Sequence, residues 1–202
     1  MSQVYADLAV SADGFSTGPN QGENAPFGDV APAAFHAWMF DHADEHRAEL
    51  DAIVSASAFI MGRNMFGPLR GEWTGDWRGW WGPEPPYHAP VFVLTNHARE
   101  PLVMDGGTTF TFVTDGIRSA MAQARDAAGA GDISIAGGAT TINAFLAAGF
   151  IDLLRLHVVP LTLGLNRRTD VVRLFDGVPP LRFTSTSVRA TPHVTHVTHT
   201  LR

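Results

Sequence analysis

Three short apolar runs, each cut off by turn-forming residues, constrain this chain more than any other feature. Ala58-Phe59-Ile60-Met61 stops at Gly62-Arg63-Asn64, Val91-Phe92-Val93-Leu94 at Thr95-Asn96-His97, and Ile133-Ser134-Ile135-Ala136 at Gly137-Gly138-Ala139-Thr140-Thr141. Runs this short and this apolar read as strands buried on both faces, which is the habit of parallel sheets covered by helices. Strands of that kind gather their carboxyl ends on one edge of the sheet, where helix N-termini and backbone N–H groups favour anions.

The remaining segments fit the same plan. Val4 to Val10 alternates as a two-faced strand and runs through Ser11-Ala12-Asp13-Gly14-Phe15 into a Gly-, Pro- and Asn-rich loop from Ser16 to Pro32. Helical patterns follow over about Ala33 to Phe40 and His42 to Ser55. Gly67 to Pro90 is an irregular insertion carrying Trp73, Trp77, Trp80 and Trp81. Thr108 to Val113 reads as a strand, and Asp115 is placed to cap a helix with Ile117, Ala120, Met121, Ala124 and Ala128 on one face. After Gly137-Gly138 a helix turns Ile142, Phe145 and Leu146 inward and ends near Gly149. Leu153 to Val159, Arg182 to Val188 and His193 to Leu201 are the last strands. Alternation that gives way to a terminal strand pair predicts one α/β domain over residues 1–202, its sheet mostly parallel with an antiparallel edge.

Composition excludes several chemistries. All 14 basic residues are arginine, so neither a lysine Schiff base nor a phosphate-loop lysine is available. A net charge of -6 without basic runs argues against nucleic acid as partner. With no cysteine there is no disulfide, thiolate nucleophile or cysteine-held zinc. No apolar stretch approaches the roughly 20 residues of a membrane span, and the N-terminus enters a strand with no signal-peptide pattern. A cytoplasmic protein with no membrane partner is expected.

The three turns together predict a nucleotide site. Gly137-Gly138 lets the backbone approach a pyrophosphate, Thr140 and Thr141 bring hydroxyls to a helix start, and Arg63 offers a planar fork for phosphate. Singly, each turn reads more readily as a tight connection or a solvated arginine than as a ligand site; their coincidence carries the argument. Neither the G-x-G-x-x-G fingerprint nor the phosphate-loop motif is present, so a dinucleotide would be held some other way.

Phe59-Ile60-Met61-Gly62-Arg63, Val93-Leu94-Thr95-Asn96, and Ile135-Ala136-Gly137-Gly138-Ala139 through Phe145-Leu146 resemble, in order and spacing, the nucleotide-contacting segments of the dihydrofolate-reductase-like superfamily. Ser11-Ala12-Asp13-Gly14-Phe15, Pro90 to Thr95 and Arg173-Leu174-Phe175-Asp176-Gly177 are closer to its bacterial branch, the reductase domain of the riboflavin-biosynthesis deaminase/reductase. The resemblance implies a three-layer α/β fold, with a mixed, mostly parallel eight-stranded sheet flanked by helices. It implies NADPH across the carboxyl ends of the central strands and hydride transfer to a flat, pterin-like or pyrimidine-like heterocycle. By that analogy Gly62, Arg63 and Asn64 meet phosphate or the adenosine ribose. Thr95, Asn96 and His97 line the adenosine end, Gly137, Gly138, Ala139, Thr140 and Thr141 cradle the pyrophosphate, and Ala9 and Val10 approach the nicotinamide. The loop after Asp13 matches the one that closes over that ring.

The chain also departs from the dihydrofolate reductase pattern. Met65 stands where a phosphate-contacting threonine is common, and His157 falls near a substrate-side threonine. Asp41, Asp44 and Glu45 lie in the helical region that carries the pterin-gripping acid. These departures point away from dihydrofolate itself. The zinc deaminase often joined to this reductase needs cysteine ligands, so a stand-alone reductase is expected.

The substrate side leaves alternatives open. Trp38, Trp81 and Phe66 are candidates for the walls of a heterocycle site, while the tryptophan-rich insertion reads equally as a dimer contact, and a homodimer is expected. Asp13, His157 and Asp44 are the candidate proton donors. His36, His42 and His46 with Asp41 and Asp44 can be read as a metal cluster, but a solvated helix face is favoured and no metal is expected. His193, His196 and His199 cannot share one strand face and are expected at a surface or edge. The competing function is a non-catalytic nucleotide- or drug-binding protein on the same fold.

Overall fold

A computed structural model describes residues 2–68, 70–165 and 171–201. The chain opens with β1 (Val4–Ser11), then α1 (Pro32–Phe40), a 3-10 turn at Ala43–His46 and α2 (Arg47–Ile53). β2 (Ala58–Gly62) runs straight into the one-turn α3 (Arg63–Phe66), and after the insertion come β3 (Pro90–Leu94), β4 (Leu102–Val103) and β5 (Thr109–Val113). α4 (Gly116–Ala128), β6 (Ile133–Gly137), α5 (Ala139–Ala147), β7 (Leu153–Val159), β8 (Phe183–Ala190) and β9 (Thr195–Leu201) complete it.

All nine strands form one sheet in the order β4-β5-β3-β2-β6-β1-β7-β9-β8. The six from β5 to β7 are parallel, and β4 at one edge with β9 and β8 at the other are antiparallel. The expected eight strands become nine because β4, two residues long, carries no alternation a sequence can show. Asp115 does sit at the N-cap of α4, but its side chain makes no capping bond and instead accepts from Thr114 Oγ1 at 3.5 Å.

The two faces of the sheet are covered differently. α4 and α5 close one of them, packing Ala120, Met121, Ala124, Ile142 and Phe145 on Ala6, Ile60, Phe92, Ile135 and Leu154. Each fully buried side chain of this kind stabilises the fold by about 1.5–3 kcal/mol. On the other face α1 and α2 cover β1, β7 and β9 with Phe35 and Trp38. The tryptophan-rich insertion covers β2, β3 and β5 with Trp73, Trp77, Trp81 and Tyr87 against Phe59, Phe66, Val93 and Phe110. Indole N–H groups anchor it, Trp73 to the His97 carbonyl at 2.7 Å and Trp77 to the Phe66 carbonyl at 2.9 Å. Three of its four tryptophans thus take the place of a covering helix over this half of the sheet.

Candidate functional site

The carboxyl ends of β2, β3 and β6 meet as the apolar runs predict. Gly62 ends β2 beside Gly137 at the end of β6, and a β-carbon on Gly62 would overlap Thr141 Oγ1. Gly137 has φ +114°, a conformation side chains resist. The Gly137-Gly138 peptide is cis. Gly138 is the N-cap of α5, and a β-carbon there would point into open space. Thr141 and Ile142 N–H donate to the Gly138 carbonyl at 3.0 and 3.1 Å, which leaves the N–H groups of the first two residues of α5 without an acceptor in the helix; Thr140 is exposed, while Ala139 and Thr141 are buried.

Arg63 is held over this edge. Its Nη1 donates to Thr95 Oγ1 at 3.3 Å, and its guanidinium carbon lies 3.7 Å from the centre of the Trp73 ring. Burial and the neighbouring Arg70 and Arg99 depress its pKa, against Glu72, so positive charge is crowded here. The same guanidinium remains charged at any physiological pH. His97 pairs with Glu72 at 2.9 Å and receives Trp73 through its carbonyl, while Asn64 and Asn96 are exposed.

Alternate residues of β1 diverge. Val10 enters the core beneath α5, whereas the half-buried Ala9 faces α1 with Asp7 and is registered against His157 of β7. Beneath α1 lies a polar cluster. His157 Nδ1 is 2.7 Å from His196 Nδ1, and His196 Nε2 is 2.8 Å from His46 Nδ1. Arg189 donates to His46 Nδ1 at 2.8 Å and grips Glu49 with two bonds of 2.8 Å. At the other end Asp7 pairs with Arg155 at 2.8 Å and lies 3.4 Å from His157 Nε2, an ion-pair contact without hydrogen-bond alignment. Burial, then the positive neighbours, push His196 down to about 4 and lower His46 as well.

Several expected residues stand elsewhere than in an open site. Trp38 is 1% exposed and lies on the histidines, 4.8 Å from His157, while Phe66 is buried under Trp73 and Phe110. Trp81 stacks on Phe110 in the sheet core. Asp44 is fully exposed beside Arg47. Asp13 is locked: burial would raise its carboxyl, but bonds from Ser11 Oγ and the N–H groups of Gly164 and Leu163 bring it below the ordinary aspartate range. It has no proton to donate at neutral pH. His46 and His196 are interior rather than solvated or edge residues: β9 is flanked on both sides, and His46 packs from the 3-10 turn on His196 and Trp38. His36, His42 and His46 do not converge; His42 stacks on His193 at 3.7 Å, and Arg189 fills the place a metal would take between His46 and Glu49.

Sequence reading missed Asp7, Arg155, Glu49 and Arg189. A signal existed in Asp7, a charge in the middle of an apolar strand, which must be paired if buried. α5 is also tied to the segment after β1. Asn143 donates to the carbonyls of Arg173 at 2.8 Å and Asp176 at 3.2 Å and accepts from Phe175 N–H, and Leu174 N–H donates to the Gly14 carbonyl at 2.9 Å. Among the described residues no helix is long and apolar enough to cross a membrane.

Comparison with known proteins follows this geometry. Residues 2–197 match the family described as the RibD C-terminal domain. A Shewanella sp. PV-4 protein attributed to riboflavin biosynthesis superposes with a TM-score of 0.61 at 21% identity, covering 99% of each chain. A pyrimidine reductase-like protein of Corynebacterium diphtheriae gives 0.59 at 12% identity, over 100% of this chain and 92% of that one. RibD of Acinetobacter baumannii gives 0.61 at 19% identity, this chain spanning 58% of its length. A search of curated proteins finds no match.

Proposed function

The chain belongs to the RibD C-terminal domain family, and from that premise we propose that it is an NADPH-dependent reductase of the riboflavin-pathway type. It would transfer a hydride to a flat, pyrimidine-like heterocycle in the cytoplasm, working as a homodimer. The observation that carries the reading is the glycine edge: Gly138, where a β-carbon would enter the open space at the α5 N-terminus, and Gly62, where one would overlap Thr141 Oγ1, with Arg63 next in the chain.

That edge fits a dinucleotide. The α5 N–H groups and the Thr140 hydroxyl suit a pyrophosphate, and Arg63, braced by Thr95 and Trp73, suits the 2'-phosphate. NADPH would supply the hydride. The protein's part is to hold ring and substrate in register and to provide a proton. Of the candidate donors, Asp13 is bonded to Ser11 at the carboxyl end of β1, and His157 lies beside Ala9, buried with Nε2 turned toward Asp7, while Asp44 is exposed beside Arg47.

The test is calorimetric titration with NADPH and NADH, followed by NADPH oxidation with a ribosylamino-uracil phosphate and with dihydrofolate. NADPH binding and turnover of the pyrimidine are expected. Failure to bind either nucleotide overturns the reading, and binding without turnover transfers it to a nucleotide-binding protein on the same fold.

A further inference from the structure

The two outer strands end in a surface that the rest of the chain leaves open. Side chains directly opposite one another on neighbouring strands share a face. Leu154, Leu156 and Val158 of β7 pack on the α5 side of the sheet and stand opposite His199, Val197 and Thr195 of β9. Those three stand in turn opposite Ser185, Val188 and Ala190 of β8, and Leu201 stands opposite Phe183. The helices of that side lie over β2, β3, β5 and β6, so beyond β7 the row runs out into solvent. Seven of the eight β8 residues are exposed, and these β9 residues are half-buried.

This face is apolar and carries no formal charge. Val188 is 63% exposed, and with Phe183 and Phe175 it makes three of the five large apolar side chains exposed among the described residues. The Phe175 ring lies 5.7 Å from that of Phe183, which lies 5.3 Å from the ring of His199. Phe175 is held there at φ +75°, a conformation that bulky side chains avoid, by the bond from its N–H to Asn143 Oδ1. Ser185 Oγ and His199 Nδ1 meet at 3.1 Å. Neither β8 nor β9 holds a carboxylate, and their one arginine, Arg189, lies in register with His196 on the opposite face, where Glu49 neutralises it.

A face of this kind selects its partner. A charged peptide or a nucleic acid would find no opposite charge here, whereas a second copy brings an equally uncharged and equally apolar sheet. Two sheets pack face to face with their strands within about 30° of each other. At roughly 3.3 Å per residue β8 is about 26 Å long, and with β9 and Phe175 beside it the face covers on the order of 300–400 Å² in projection. A standard interface hides about 800 Å² per partner, so a reversible association with Kd on the order of 1–10 µM is expected rather than an obligate dimer. Edge-to-edge pairing of β8 is the other way to join two copies, but the bulge between Ser185 and Ser187 breaks the even spacing that pairing needs.

We propose that the uncharged face of β8 and β9, with Phe175, is where two copies of this chain join across a two-fold axis. The homodimer itself rests on the reading above, whereas the face rests on strand register and exposure, and the two can fail separately.

Sedimentation equilibrium of the full chain from about 1 to about 100 µM tests the association. A monomer–dimer equilibrium is expected. Val188→Glu, which puts two charges into an otherwise uncharged contact, should raise the dimer Kd about tenfold or more. Phe183→Ser adds no charge, should act in the same direction, and serves if the glutamate variant folds poorly. Val103→Glu at the opposite edge of the sheet and Phe40→Glu on α1, both highly exposed, should leave Kd within about twofold. A dimer unmoved by both face variants, or dissolved by Val103→Glu or Phe40→Glu, overturns the face. Open-ended growth past the dimer overturns the two-fold axis. Protein that stays monomeric at about 100 µM overturns the homodimer and the face together, while NADPH binding still decides the reductase reading alone. In hydrogen exchange the outward amides of β8 should stay fast in the dimer, and their protection on dimerisation overturns face-to-face contact in favour of edge pairing.

Discussion

The glycine edge at β2 and β6 and the histidine row beneath α1 lie on the same sheet but are made in different ways. The first is backbone: Gly62, Gly137 and Gly138 act by what they lack, and their neighbours in sequence complete the site. The second is made of side chains from β1, β7, β9, β8 and the 3-10 turn, joined by register alone. A turn-built site tolerates change in its surroundings but no added carbon. A register-built site tolerates small changes of size but no change in who donates and who accepts.

The largest effect that could break this contrast is expected at His157. His157→Gln, by disturbing the buried contact with His196, should cost about 1–3 kcal/mol of stability, the range for a buried polar group left unsatisfied, with NADPH affinity by calorimetry unchanged. Equal loss of both would mean that the two regions are one. Gly137→Ala should do the converse. At φ +114° a side chain is strained, and about 1–3 kcal/mol of that strain should appear as weaker NADPH binding and a lower melting temperature. Arg63→Ala should shrink the preference for NADPH over NADH by about tenfold, the value of a charge-assisted bond, and a preserved ratio would assign the 2'-phosphate to Arg70 or Arg99.

The smallest effect sharpens the histidine side. His196 and His36 sit near 4 in the folded chain and at 6.5 as free side chains. Between those values the unfolded chain binds more protons, so stability must fall as pH drops from about 6.5 toward 4. The slope is at most about 1.4 kcal/mol per pH unit for each group, and denaturant midpoints along that interval measure it. A flat stability curve there would show that these rings are protonated in the folded protein.

Legibility in the sequence follows the same division. Gly62-Arg63 and Gly137-Gly138 could be read because each turn adjoins the run that delivers it. α4 could be read because one repeat period names one buried face, whereas β1 alternates in sequence but is buried on both faces. Trp38 and Phe66 were misplaced because an aromatic side chain suits a core and a ligand wall equally, and only burial separates them. The spacing of His193, His196 and His199 correctly denied them a common face, yet could not tell that β8 would lie outside β9 and bury His196. Asp7 and Arg189, 182 positions apart, belong to one polar row only because of strand order, which no local pattern encodes.

Asn143 ties these matters to timing. Its three bonds join α5 to the Arg173–Asp176 segment, which in turn holds Gly14. Were the proposed anion held at the α5 N-terminus, order gained there and order gained in the segment that leaves β1 would be joined through these bonds. Binding at either end would then leave less entropy for the other to remove, by the same factor in both directions.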